Sequence, residues 1–453
     1  MKKVLIANRG EIASRIIKTC KRLGVETVAV YSEADAEMPF VKEADHAFLI
    51  GPPPIQQSYL KGQEIIDIAI RENVDAIHPG YGILSENAMF VEQVQKAGII
   101  FIGPDATTIQ KMGDKIEARQ TMQEASVPVV PGTDDGVTSL EDAKRIAAEI
   151  GYPVMLKASA GGGGVGMVRC EDEQALGQQF DSVKNRAKMY FGSDAVFLEK
   201  FITNARHIEV QVFGDYYGNI VHLFERNCSV QRRNQKVIEE SPSPSLSEEA
   251  RAQLFEAAVN AAKAVNYKNA GTVEFIVDES EQIYFLEMNT RLQVEHPITE
   301  EVTGYDLVEW QIEVARGNEL PVKDQQQIKL NGHALEFRVY AEDPKTFMPS
   351  PGEITKLDLG HDEDIRVDNG YAENGKVTPF YDPLISKVIV HAPTREEAIE
   401  KSKAYLSTLN IEGLKTNLPF FTEILNEESF IQGTYTTSIV EDWLTAQKGE
   451  TVK

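Results

Sequence analysis

Between Phe285 and His296 the chain reads Phe-Leu-Glu-Met-Asn-Thr-Arg-Leu-Gln-Val-Glu-His. Taken with a period of two, Glu287, Asn289, Arg291, Gln293 and Glu295 share one side, and Leu286, Met288, Leu292 and Val294 the other. Extended backbone sends alternate side chains to opposite faces, so the stretch is expected to bury one side and line a site with the other. Acids, amides and a guanidinium in alternation suit a site for a metal, phosphate and a small anion; the plain alternative is a half-exposed surface strand. A second strand-like run, Gly271 to Val277, carries Glu274, and the polar turn Asp278 to Gln282 joins the two as a hairpin. The hairpin brings Glu274 near Glu287 and Asn289. Three hard oxygen ligands in one place suit Mg²⁺, which keeps some waters and shares a nucleotide's phosphates.

Other stretches point to phosphate chemistry. Tyr152 to Lys157 reads as a strand ending in lysine, and after it Gly161, Gly162, Gly163, Gly164 and Gly166 fill five of six positions. Such a loop has bare N–H groups able to close over phosphates, with the charge of Lys157 beside it. It is not the P-loop, since GxxxxGK[ST] is absent; a flexible linker is the alternative. Lys115 sits in the first turn of a helix, against the helix dipole, which hints at a ligand-facing role. Val196 to Ile202 looks like a strand-to-linker step offering apolar walls to an adenine. His207, at the start of an alternating strand, is open between a ligand role and a structural one. Arg232, Arg233 and Lys236 form the densest basic cluster and are expected to gather an anion or phosphates, unless the loop is simply solvated. The loop His78 to Asn87 turns sharply at Gly80 and Gly82 after a strand, so it is a site wall or a plain tight turn.

Residues 1 to 112 alternate strands (Val4–Ala7, Thr27–Tyr31, Ala76–His78, Ile99–Ile102) with helices (Glu11–Leu23, Ser58–Arg71), which predicts a parallel sheet with helices on both faces. The turn after the first strand is Asn8-Arg9-Gly10-Glu11, not GxGxxG, so a dinucleotide oxidoreductase is unsupported. Residues from about 131 to 202 read as a separate small unit, opened by the capping box Ser139-Leu-Glu-Asp142. After residue 333 the texture turns to mostly antiparallel strands, with Thr394 to Thr408 as a closing helix.

At 453 residues the chain implies roughly two to four domains. No run approaches the ~20 apolar residues of a membrane helix, and the short apolar run after Met1 reads as a first strand, not a signal peptide. A net charge of −24 argues against nucleic acid as a partner. Cys20, Cys170 and Cys228 show no CxxC spacing and no paired framework, which fits a reducing cytoplasm with buried thiols.

Together, Tyr152 to Gly166, Phe285 to Leu292, His78-Pro-Gly-Tyr-Gly, Cys228-Ser-Val-Gln-Arg-Arg and Arg291-Leu-Gln-Val-Glu-His-Pro297 resemble the motifs of the biotin carboxylases, ATP-grasp enzymes that include the ATP-using subunit of bacterial acetyl-CoA carboxylase. The resemblance runs from Met1 to about Trp443. It implies an α/β chain of three parts: a Rossmann-like domain over 1–112, an ATP-grasp domain over 113–333 with a mobile lid over 131–202, and a mostly antiparallel domain over 334–453. It implies ATP-dependent carboxylation of biotin N1 by bicarbonate, the first half-reaction of acetyl-CoA carboxylase in fatty acid synthesis. By resemblance, Lys115, Lys157, His207, Gln231, Asn234 and the glycine loop bind ATP, with Glu199, Lys200 and Ile202 framing the adenine. Glu274, Glu287 and Asn289 hold Mg²⁺ or Mn²⁺, the two glutamates also meeting the nucleotide. Lys236, Arg291, Gln293 and the Val294 backbone hold bicarbonate, Glu295 is the base, and Tyr81 and Arg338 meet biotin. Against the family pattern, position 234 is Asn where several relatives have His, 165 is Val where some have a basic residue, and 160 is Ala rather than a further glycine. No Ala-Met-Lys-Met sequence occurs, so a separate biotin carboxyl carrier protein is the expected partner, with carboxyltransferase subunits downstream and a homodimer as the assembly. The alternatives are another ATP-grasp ligase with an acyl-phosphate intermediate, or a nucleotide sensor that kept the fold.

Overall fold

The first hundred residues build a parallel sheet because their strands are near-continuous runs of Val, Ile, Leu and Ala, the pattern of strands covered on both faces. In a computed structural model of the chain, which describes residues 1–133, 136–158, 167–192 and 194–450, β1 (Lys3–Ile6), β2 (Glu26–Ser32), β3 (His46–Gly51), β4 (Ala76–His78) and β5 (Ile100–Phe101) pair in the order β3-β2-β1-β4-β5. All neighbours are parallel. Val4 and Ile6 enter one core and Leu5 the other, so successive side chains meet opposite helical layers. The helix Gly10–Arg22 buries Ile12, Ile16 and Cys20, the stripe expected of it. The helix expected from Ser58 starts only at Gly62. Before it, the amides of Ser58 and Leu60 both donate back to the Ile55 carbonyl, which holds a turn.

A small three-stranded antiparallel sheet follows: β6 (Val154–Ala158), β7 (Met167–Cys170) and β8 (Val196–Lys200), in the order β7-β6-β8. The helices Leu140–Ile150 and Glu173–Phe191 pack on it, around Val154, Leu156, Leu176, Phe180 and Leu198. Ser139 caps the first helix by accepting from the Asp142 amide, as its spacing predicts.

The largest sheet has eight strands: β9 (Arg206–Gly214), β10 (Ile220–Arg232), β11 (Gln235–Ser241), β12 (Asn269–Val277), β13 (Ile283–Asn289), β14 (His333–Tyr340), β17 (Ile365–Asn369) and β19 (Leu384–Ala392). The order is β13-β12-β9-β10-β11-β14-β19-β17, antiparallel throughout. It therefore runs unbroken across the change of texture at residue 333, because β11 pairs with β14. The short strands β15 (Gly352–Glu353) and β18 (Lys376–Val377), and β16 (Lys356–Asp358) and β20 (Asn410–Glu412), form two ribbons beside it. The helix Arg395–Leu406 does not close the chain as expected: Leu418–Ile424, Glu428–Ile431 and Ile439–Glu450 follow. Phe420, Phe421, Phe430 and Trp443 drive this, joining Phe337 and Phe347 in one aromatic core. Among the described residues no helix is long and apolar enough to cross a membrane.

Candidate active site

The hairpin β12–β13 forms as its sequence predicts, and its register sets Glu274 directly opposite Glu287. Glu274 is the better partnered of the two. Its Oε1 accepts from Lys236 Nζ (2.8 Å), Asn289 Nδ2 (2.8 Å) and Gln293 Nε2 (2.7 Å), and its Oε2 lies 2.9 Å from His207 Nε2. Burial pushes the Glu274 carboxyl up, but Lys236 and His207 outweigh it and hold it well below the usual carboxylate range. Among the described residues no hydrogen bond or ion pair reaches the Glu287 carboxylate, and burial followed by the neighbouring Glu274 pushes it up. Two carboxylates repelling across a hairpin are relieved by a divalent cation. Glu274, Glu287 and the amide oxygen of Asn289 offer the hard donors that Mg²⁺ takes. His207, Glu209 and Glu274 also bring ligand atoms within 4.8 Å of one another.

Lys236 stands at the centre. Besides Glu274 its ammonium reaches Glu209 Oε2 at 2.5 Å and Glu295 Oε1 at 2.7 Å. The other Glu295 oxygen, Oε2, accepts from Arg338 Nη2 at 2.9 Å. Arg338 Nη2 also lies 2.5 Å from Glu239 Oε1. Burial opposes ionisation of Glu295, yet Lys236, Arg338 and Arg226 together hold its carboxyl below the usual range, so it stays a carboxylate.

The run after β13 differs from its expected form. Strand pairing ends at Asn289, and Thr290 to Glu295 is a loop leading into the helix His296–Thr303. Gln293 and Glu295 thus reach the site from a turn, not from one face of a strand. Polar contacts, from part-buried to exposed, shape that turn. Arg291 Nε donates to Glu86 Oε2 (2.8 Å) and its Nη2 to Asn289 Oδ1 (2.8 Å). The Thr290 amide donates to Glu86 Oε1 (3.0 Å), and the Val294 carbonyl accepts from the fully buried Lys387 (2.9 Å).

On the nucleotide side, Lys157 of β6 pairs with Glu199 of β8, and Arg119 Nη1 lies 3.7 Å from the same carboxylate. Lys115 opens the helix Lys115–Glu124, where Asp114 caps the amides of Ile116 and Glu117. Burial and then Lys157 lower the Lys115 ammonium's pKa against the pull of Glu287, so the two lysines and two glutamates share one region. Lys200 turns its ammonium to the carbonyls of Gly151 (2.8 Å) and Tyr152 (3.1 Å), and Ile202 follows β8 half-buried. His207 Nδ1 meets Gln231 Nε2 at 2.8 Å, and since an amide nitrogen only donates, Nδ1 accepts and Nε2 carries the hydrogen toward Glu274. Gly161, Gly162, Gly163, Gly164 and Gly166, with Ala160 and Val165, lie outside the described residues.

The basic cluster does not gather one anion. Its residues form the hairpin β10–β11, which puts Arg233 and Asn234 at an exposed tip with φ of 49° and 64°. Asn tolerates that left-handed conformation, which accounts locally for Asn at 234. Arg232 points away from Lys236, pairs with Glu342 and lies over Phe347 at 5.3 Å. Only Lys236 reaches the site.

The loop after β4 is held by Asn8, whose Nδ2 donates to the carbonyls of Pro79 (2.6 Å) and Tyr81 (2.8 Å). Gly80 is required there: its φ is 61°, and a Cβ would sit 2.8 Å from that nitrogen. The Tyr81 hydroxyl donates to Glu11; burial and Glu11 push the phenol's pKa up, against a weaker pull from Arg338.

Sequence reasoning missed Glu209, Arg226, Glu239, Glu86 and Lys387. Glu209 and Gln211 share the β9 face of His207, so the same period of two would have found Glu209. Lys387 and Arg226 had no local signal, since each lies far in sequence from the groups it holds. Cys228 is buried, with Sγ 3.9 Å from Glu295 Oε1.

Residues 1–109 match the family described as biotin carboxylase, N-terminal domain, residues 114–323 the carbamoyl-phosphate synthase L chain, ATP binding domain, and residues 336–442 the biotin carboxylase C-terminal domain. The chain is 55% identical over 442 residues to Biotin carboxylase 2 of Bacillus subtilis, covering 98% of this chain and 99% of that one. It resembles the crystal structure of a biotin carboxylase–beta-gamma-ATP complex from Campylobacter jejuni, with TM-score 0.95, 47% identity and coverage of 97% and 98%. It also resembles the biotin carboxylase domain dimer of Hydrogenobacter thermophilus 2-oxoglutarate carboxylase in complex with MgADP, ADP and bicarbonate, with TM-score 0.94, 47% identity and 97% coverage of each chain.

Proposed function

Because this chain belongs to the biotin carboxylases, ATP-dependent ligases with an ATP-grasp fold, we propose that it carboxylates biotin N1 on a separate carrier protein, as the first half-reaction of acetyl-CoA carboxylase. The observation that supports this best is the buried network Glu274–Lys236–Glu295–Arg338 beside the Glu274–Glu287 pair. It sets a base, an anion-binding cation and a second cation side by side.

In this reading bicarbonate enters among Lys236, Arg291, Gln293 and the Val294 backbone. A second anion sharing Lys236 and Arg338 raises the proton affinity of Glu295, which takes the bicarbonate hydroxyl proton. The freed oxygen attacks the γ-phosphoryl group of ATP, ADP leaves, and carboxyphosphate forms. Lys115, Lys157 and His207 offset the charge on the phosphates, Glu199, Lys200 and Ile202 frame the adenine, and Gln231 and Asn234 also meet the nucleotide. Glu274, Glu287 and Asn289 would hold Mg²⁺ or Mn²⁺, which neutralises charge on the transferred group. Carboxyphosphate then breaks to CO₂ and phosphate. Phosphate takes the N1 proton, N1 attacks CO₂, and Arg338 meets the negative charge developing on the ureido oxygen, with Tyr81 beside it. A cytoplasmic homodimer, a biotin carboxyl carrier protein and carboxyltransferase subunits complete the reading on family grounds.

The test is ATP hydrolysis by the purified protein with Mg²⁺ and bicarbonate, with and without free biotin. A rate that needs bicarbonate and rises with biotin is expected; a bicarbonate-independent rate sinks the reading. Pairing the enzyme with its carrier and transferase, then offering acetyl-CoA, methylcrotonoyl-CoA and 2-oxoglutarate, tests the downstream assignment. Carboxylation of acetyl-CoA is the expected outcome.

A further inference from the structure

Arg226, on β10, is the largest fully buried side chain of the described residues. A guanidinium has five N–H donors and no acceptor, and here each has a partner. Nε donates to Glu209 Oε1 (2.5 Å). Nη1 donates to Gln211 Oε1 (2.9 Å) and Thr299 Oγ1 (2.9 Å). Nη2 donates to Thr272 Oγ1 (3.1 Å) and Gln293 Oε1 (2.7 Å). Moving a charge out of water is costly, and only complete pairing and hydrogen bonding offset that cost. Lysine, with three donors on a single nitrogen, cannot reproduce this fork.

The acceptors are not a random set of core atoms. Glu209 uses its other oxygen to hold Lys236. Gln293 uses its amide nitrogen to hold Glu274. Thr299 lies in the helix whose N-cap residue is Glu295. Gln211 and Thr272 are register partners on β9 and β12, so they anchor the guanidinium to the sheet. One side chain thus ties the sheet to three contributors to the bicarbonate subsite, and it bonds none of the residues assigned to the adenine.

We propose that Arg226 is the positioning residue of the bicarbonate subsite: through Glu209, Gln293 and Thr299 it holds Lys236, the amide of residue 293 and Glu295 at the spacing the anion requires. It touches neither substrate. The proposal rests on the biotin carboxylase reading, and the wild-type enzyme's bicarbonate dependence tests that reading separately.

The experiment is steady-state kinetics of Arg226→Met and Arg226→Lys on the full chain, varying bicarbonate and MgATP in turn. For Arg226→Met the bicarbonate KM is expected to rise about tenfold or more while the MgATP KM stays within about twofold. Arg226→Lys should fall between, because it keeps the charge beside Glu209 but loses most of the fork. A merely structural arginine would lower the thermal midpoint and the active fraction without separating the two KM values. Equal shifts in both, or no shift in either, overturn the proposal. If Arg226→Met does not fold, the double variant Thr272→Val/Thr299→Val loosens the guanidinium without removing its charge. A bicarbonate KM raised about threefold with MgATP unmoved is then expected, and an unchanged bicarbonate KM overturns the proposal.

Discussion

At the scale of single residues, the site is a contest over one ammonium. Lys236 serves Glu209, Glu274 and Glu295 at once, and Glu295 shares its second oxygen with Arg338. A carboxylate so placed stays ionised among its cations and becomes a stronger base only when another anion draws on the same cations. Replacing Glu295 with Gln keeps the shape and removes the base. Turnover is expected to fall by about 10²- to 10⁴-fold, while nucleotide affinity, read by calorimetry, stays within about twofold. Loss of nucleotide binding in parallel with turnover would contradict the role given to Glu295. Residue type and closeness along the chain make Glu287, Asn289 and Glu295 legible as site residues from the sequence alone. Glu209 shares the alternating face of His207 and could have been read from it; Glu239 is not legible, since beside Glu240 it looks like part of an ordinary polar run until its cation is found.

At the scale of elements, what matters is how a loop is held in place beside the sheet. The segment Thr290 to Glu295 has no strand partner, so side chains from elsewhere hold it: Glu86 at one end and Lys387 at the Val294 carbonyl. Lys387 is wholly buried, 3.1 Å from Glu11 Oε2 and 3.8 Å from Asp368 Oδ2. Lys387→Met would strand buried carboxylates, so a loss of about 3–5 kcal/mol is expected. The exposed i,i+4 pair Lys323–Glu319 is the contrast, where Lys323→Met should cost under about 1 kcal/mol. Thermal midpoints of the two variants against the parent decide this; similar small changes in both would show that Lys387 is not what holds the loop.

At the scale of the whole molecule, one antiparallel sheet carries the site across what the sequence presents as two regions. β11 contributes Lys236 and Glu239, β14 contributes Arg338, and β12 and β13 contribute the carboxylate pair. Bringing these together buries more acid than the cations match. Burial, opposed by Arg338 and Lys236 and reinforced by Glu295, pushes the Glu239 carboxyl from an ordinary value of 4.5 up to about 7. Between those pH values the folded chain keeps a proton that the unfolded chain has released, so stability falls as pH rises through the window. Glu239→Gln fixes the neutral form. Its thermal midpoint, relative to the parent, should therefore rise from pH 5 to pH 8 and then level off; parallel midpoint curves would show that the carboxyl is ionised throughout.

The sequence alone determined what depends on neighbours along the chain. Alternation predicted the hairpin that pairs Glu274 with Glu287, the β-α-β rhythm predicted the parallel sheet, and Ser139 announced its helix. Tertiary structure decided what depends on distant partners. It ended β13 at Asn289 and carried Glu295 in on a turn. It turned Arg232 toward Glu342 and surrounded Arg226 with acceptors from four separate segments. Local pattern reports which face a side chain shares with its neighbours. Which buried charge answers another is set by strand order, and no window of sequence contains that.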